Sequence, residues 1–219
     1  MEKYIRREEI YALIKMLNSA KIRYVLPKNI GEELPDRLKC GKDIDLIVHP
    51  DDKMLLEKIM METYIIERHP CGVESGWSFL YGMQPPDFWS KKTINGVVYI
   101  DVFFVLSCHS LIERTWIPLS IEIQERMWEN RVWDKKNKWW TLDIDTEYVY
   151  LIVRSIFDKG EFTKLYKERI TSLQVLIDKD IVYSLMREVF FKYTDRLFEL
   201  LEAKKFDFIR SDYLSFNEY

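Results

Sequence analysis

The stretch Gly41-Lys42-Asp43-Ile44-Asp45-Leu46-Ile47-Val48 decides how the rest of the chain is read. Its apolar, β-branched second half reads as a strand, closed by His49-Pro50. It opens with two aspartates two residues apart, which in an extended chain project from the same face. Carboxylates at the head of an apolar strand are costly unless water or a cation meets them. Two readings follow: a solvated strand end, or a carboxylate pair able to share divalent metals about 3.5–4 Å apart.

A second stretch bears on that choice. Val97 to Leu106 is the strongest strand signal in the chain, introduced by an Asn95-Gly96 turn, and Asp101 is its only charge. A carboxylate among such residues must take up a proton, pair with an Arg or Lys, or bind a metal. Asp43 and Asp101 are 58 residues apart, which leaves room for a helix and strands between them. Their strands can therefore be neighbours in one sheet. Three carboxylates around two metals is an arrangement used for phosphoryl and nucleotidyl transfer.

The surrounding pattern supplies the other elements. Glu8 to Ala20 predicts a helix with Ile10, Leu13, Ile14 and Leu17 on one face, and Ile22 to Leu26 a short strand that Pro27 stops. Lys28 to Lys42 reads as a polar loop, and Asp51-Asp52 offers an N-cap to a helix running to about Met61. Tyr64–Glu67 and Trp77–Tyr81 read as strands, and Val132-Trp133 with Trp139–Leu142 as a small hairpin. From Thr146 the apolar period becomes helical: one helix through Phe157 that Gly160 ends, then Phe162–Ile177 and Asp180–Ala203. All prolines lie at or before Pro118, and Gly160 is the only glycine after Gly96. That asymmetry predicts an α/β (or α+β) domain over residues 1–143, a small mixed sheet with flanking helices, followed by a helical segment over 144–219.

Composition narrows the function classes. The 219 residues carry a formal net charge of −3, so no global cationic field attracts bulk nucleic acid. Cys40, Cys71 and Cys108 form no CxxC pair, and with His49, His69 and His109 they offer no zinc spacing. The apolar runs are too short to span a bilayer, and the charged first residues lack an apolar leader core, which points to a reduced, cytoplasmic protein.

The order of helix Glu8–Ala20, strand Ile22–Leu26, the pair Asp43 and Asp45, and a later strand with Asp101 resembles the nucleotidyltransferase superfamily of DNA polymerase beta. That superfamily includes the aminoglycoside nucleotidyltransferases and the LicD/fukutin-type phosphotransferases. The resemblance covers about Glu8 to Leu106 and is nearest a branch met among surface-polysaccharide genes. It implies a nucleoside triphosphate donor, a small acceptor such as a sugar, polyol or phosphorylated alcohol, and two Mg²⁺ ions that Mn²⁺ can replace. Asp43, Asp45 and Asp101 would ligate metal, and Asp101 would assist deprotonation of the acceptor. Transfer of a polyol- or sugar-phosphate from a CDP-linked donor, and a degenerate nucleotide- or protein-binding module, are the alternatives.

One departure concerns the donor. The superfamily places Gly-Ser at the end of its first strand, where backbone N–H groups hold the triphosphate. Here Pro27-Lys28-Asn29 stands there, and Lys28 offers a charged donor instead. Asn29, Lys42 and, in the helical segment, Lys159 and Arg169 complete the candidate phosphate ligands, against the reading that the helical cations are solvated faces. A second Asp-Ile-Asp, Asp143 to Asp145, reads as a helix start with Asp145 as N-cap and Asp143 as a turn or solvated acid, with a metal role as the competing reading. His49 ends a strand, His109 is a candidate for the mouth of a site, and Cys108 reads as a small buried hydrophobe. Trp77, Tyr81, Phe88 and Trp89, around Pro85-Pro86, form a candidate acceptor platform, with core packing as the competing reading.

Overall fold

The computed structural model describes residues 3–71 and 74–218. In chain order the elements are α1 (Arg7–Ser19), β1 (Tyr24–Val25), β2 (Asp43–Val48), α2 (Lys53–Met60), β3 (Ile65–Arg68), β4 (Ser78–Phe79), β5 (Asp87–Lys92), β6 (Val97–Phe103), β7 (Ser107–His109) and β8 (Thr115–Pro118). They continue with α3 (Ile121–Asn130), β9 (Val132–Asp134), β10 (Trp139–Thr141), α4 (Ile144–Arg154), α5 (Lys164–Leu173), α6 (Lys179–Phe190), α7 (Thr194–Glu202) and α8 (Phe206–Ser215). The chain is mixed α/β, as the sequence predicts. It forms two compact units: the residues up to Leu106 with Arg131–Leu142, and Ser107–Asn130 with the residues from Asp143 onward.

The first unit is built on a five-stranded sheet of order β1-β2-β6-β5-β3. Strands β2 and β6 run parallel, and the other neighbours are antiparallel. Alternation along these strands sorts the sheet into two faces. Ile44, Leu46, Val48, Val98, Ile100, Val102 and Trp89 point to one face. There they join Ile10, Leu13, Ile14 and Leu17 of α1 and Leu56 and Met60 of α2 in one core. Burying each large aliphatic side chain of that kind is worth about 1.5–3 kcal/mol, so the pattern fixes the register. A slip of one residue would send the aspartates into the core. The other face carries Asp43, Asp45, Asp101 and Phe88.

Several boundaries differ from the sequence expectation. The first strand is short, Tyr24–Val25, because Leu26 leaves β2 and bonds the β9–β10 hairpin through Trp140 O at 2.9 Å. β5 was not expected: Pro85-Pro86 before it and Ser-Lys-Lys in it mask a strand whose partners lie on both sides. Asp51-Asp52 does not cap α2 through a side chain; the Asp52 carboxylate instead holds Arg23, with Nε–Oδ2 at 2.9 Å.

In the second unit α4 is buried almost all round, with Tyr148 to Val153 inside, and packs against α5 and α6. It continues into a π-helical turn, Ser155–Lys159, that Gly160 ends at φ 72°. The single helix expected over Asp180–Ala203 is two, because Phe191 adopts φ 49° and ψ −124° between them. Helices α3 and α8 were also not expected.

Candidate active site

The acid-bearing strands bring their carboxylates together by register. Asp45 on β2 is the partner of Asp101 on β6, and Asp43 is the partner of Tyr99. Adjacent strands lie about 4.8 Å apart, so same-face side chains at partner positions meet. One carboxylate oxygen from each of Asp43, Asp45 and Asp101 lies within 4.8 Å of the other two. Oxygen ligands around a divalent ion at about 2.1–2.5 Å span that same distance, so the three residues fit a metal.

The electrostatics agree with the geometry. Asp101 is pushed up to about 7, by burial first and then by the charges of Asp43 and Asp45, with a hydrogen bond to Asp43 adding to the shift. Lys28 acts in the opposite direction through space. Among the described residues no ion pair to Asp101 is seen; the charges acting on it are those of Asp43 and Asp45, with Lys28 opposing them. Lys28 instead reaches Asp45, with Nζ–Oδ2 at 2.8 Å and both side chains mostly buried.

Of the other candidate phosphate ligands, Asn29 closes its own loop. Its amide donates to Leu34 O and its Oδ1 accepts from Leu34 N, each at 3.0 Å. Lys42 pairs with Glu33 at 2.5 Å. Lys159 and Arg169 belong to the second unit, and Arg169 makes a two-pronged pair with Glu147 at 2.8 and 2.6 Å. The second Asp-Ile-Asp is structural, with the N-cap two residues earlier than expected and both acids buried. Asp143 is the N-cap, accepting from Thr146 N, and Asp145 in the first turn joins it on Arg126 at 2.8 and 3.0 Å.

The aromatic platform divides. Trp89 is buried in the core on the far side of the sheet, and Tyr81 is exposed on a loop. Phe88 is the β5 partner of Asp101 and lies on the acid face. His69, missed by the sequence reading in this role, packs on Phe88, Trp77 and Phe79 at ring separations of 5.2, 4.8 and 5.1 Å. A groove of about 640 Å³ is lined by Trp77, Phe79, Leu80, Met83 and Pro85 among others. The only signal for His69 was its placement two residues beyond Glu67, the β3 neighbour of Phe88. His49 caps the turn after β2, accepting from Asp51 N at 3.3 Å. His109 lies in β7 of the second unit, where its backbone N–H donates to Asp158 at 2.8 Å. Cys108 is buried, and burial pushes its thiol up.

No protein-family profile matches the chain, and no curated protein matches it. Among solved structures it is similar to that of the antibiotic-resistance factor ANT(2'')-Ia, determined in solution and described as having substrate-regulated conformation dynamics. The two are 9% identical over 91% of this chain and 96% of that one, with a TM-score of 0.47. Among the described residues no helix is long and apolar enough to cross a membrane.

Proposed function

We propose that the protein is a metal-dependent nucleotidyltransferase that moves a nucleoside monophosphate from a triphosphate to a hydroxyl or phosphate of a small acceptor. The observation that carries this reading is the convergence of Asp43, Asp45 and Asp101 on one sheet face, with ligand oxygens within 4.8 Å of one another. Divalent ions held there, two Mg²⁺ with Mn²⁺ as a substitute, supply positive charge to the phosphates and acidify the acceptor hydroxyl.

The chain's own residues divide the remaining work. Asp43 and Asp45, fixed on one strand, would hold the metal together with Asp101. Asp101, across the ladder from Asp45, would ligate metal and assist deprotonation of the acceptor hydroxyl. Lys28 lies on the β1 side of the acids, where an anionic triphosphate gains a charge-assisted contact. The acceptor then takes the opposite side, along Phe88 and the rings around His69, which suit the apolar face of a sugar ring or polyol derivative. Membership of a surface-polysaccharide pathway rests on the sequence resemblance.

Calorimetric titration of each nucleoside triphosphate, with and without Mg²⁺ or Mn²⁺, tests the reading. The expected result is metal-dependent nucleotide binding followed by pyrophosphate release with a sugar or polyol acceptor. Binding that ignores the metal would indicate a scaffold. Turnover of CDP-polyols but not CTP would indicate the phosphotransferase alternative.

A further inference from the structure

Lys28 stands where the chain leaves β1. Because Val25 pairs with Ile47 antiparallel, the chain leaves β1 heading toward the Asp45 end of β2. That path seats the Lys28 ammonium on Asp45 Oδ2 at 2.8 Å, with the two side chains 20% and 14% exposed. An ionised carboxylate has about four acceptor positions, so the bond to Lys28 leaves Asp45 able to ligate a metal as well.

Counting formal charge sharpens the consequence. Asp43, Asp45 and Asp101 bring −3 when they ligate, and Lys28 brings +1. The remainder, −2, is what one divalent cation neutralises. Without Lys28 a single ion leaves a net −1 on carboxylates packed within 4.8 Å of one another, which favours a second cation. Lysine also differs from a bound ion in a useful way. Its charge sits on a flexible tether and bonds equally to a carboxylate or a phosphate oxygen.

We infer that, in the nucleotide-free protein, Lys28 occupies the place of the second cation. The resting site takes up one divalent ion, and the second enters when the triphosphate draws Lys28 away from Asp45. This rests on the nucleotidyl-transfer reading and adds an order of assembly to it. The competing reading is a permanent structural ion pair.

Counting bound Mn²⁺ by electron paramagnetic resonance on nucleotide-free protein tests the inference. The wild type and Lys28→Arg should each bind one Mn²⁺ per chain, and Lys28→Met should bind two. Lys28→Gln serves in its place if the methionine variant does not fold, as judged by thermal melting. Two ions on the wild type, or one on the neutral variants, would overturn the placeholder role and leave the nucleotidyl-transfer reading standing. No Mn²⁺ on any of the chains would overturn both.

Discussion

Asp45 and Asp101 are register partners on adjacent parallel strands, so two carboxylates face each other directly across the ladder. Like charges opposed in that way are destabilising unless something compensates them. The cost falls on Asp101, which burial and the neighbouring acids push up to about 7 from 3.8. Between those values the folded chain keeps a proton that the unfolded chain has released. Its contribution to stability is therefore complete below about pH 4 and is lost as pH rises through about 7. Asp101→Asn should remove that slope. In metal-free buffer at pH 8 the variant should be more stable than the wild type by about 1–2 kcal/mol, a figure reduced for solvent at the open face. Urea unfolding at pH 5 and pH 8 checks this; an Asn variant with the wild-type slope would contradict it.

Asp43 differs from Asp101 in being exposed at the start of its strand, so its side chain carries little of the fold. Asp43→Asn should leave the melting temperature within about 2 °C of the wild type. Its Mn²⁺ affinity should fall at least about 100-fold, the upper end of what loss of a mere supporting residue costs. Circular dichroism and Mn²⁺ titration together measure both. An unfolded variant would assign Asp43 a structural role.

On the opposite face of the sheet, Asp87 is 2% exposed and paired with Arg68, and Lys53 Nζ is 3.9 Å from its second oxygen. Among the described residues that oxygen accepts no hydrogen bond. Removing the charge leaves Arg68 without its buried partner at a junction of three strands. Asp87→Asn should cost about 2–3 kcal/mol, less than a fully enclosed pair because Arg68 is half-exposed. Chemical denaturation measures it, and a loss below 1 kcal/mol would show that solvent screens the pair.

The acid pair and the lone acid were legible in the sequence because each interrupts an apolar strand, and a period of two fixes the face of each. Helix α1 was legible for the same reason: Ile10, Leu13, Ile14 and Leu17 repeat at helical spacing and are buried. β5 was not legible, since Phe88 and Trp89 point to opposite faces and no alternation distinguishes a platform from a strand. The Lys28–Asp45 contact was not legible either. It depends on the antiparallel return of β1 along β2, which sequence spacing does not encode. The break at Phe191 arises from a positive φ in a bulky residue, where the apolar period continues without a sign of it.

The entrances of the two acid-bearing strands touch each other. Gly96, which leads into β6, has φ +155°, and a Cβ built there would lie 2.8 Å from Cys40 Sγ and 3.1 Å from Cys40 Cβ. Cys40 in turn precedes Gly41-Lys42-Asp43, and its thiol donates to Asn95 O at 3.1 Å. Gly96→Ala therefore meets two penalties, backbone strain and overlap with a side chain that is partly buried, together about 2–3 kcal/mol. Cys40→Ala removes the sulfur but not the Cβ, so it should relieve the 2.8 Å overlap and leave the 3.1 Å approach and the backbone strain. The double variant should be more stable than the sum of the single changes by about 1 kcal/mol. Additivity would mean that backbone strain alone sets the cost. Because this contact lies at the entries of the strands that carry Asp43 and Asp101, Gly96→Ala should also weaken Mn²⁺ binding, and Cys40→Ala in the same chain should restore part of it. Weakened stability with unchanged Mn²⁺ affinity would separate the turn from the site.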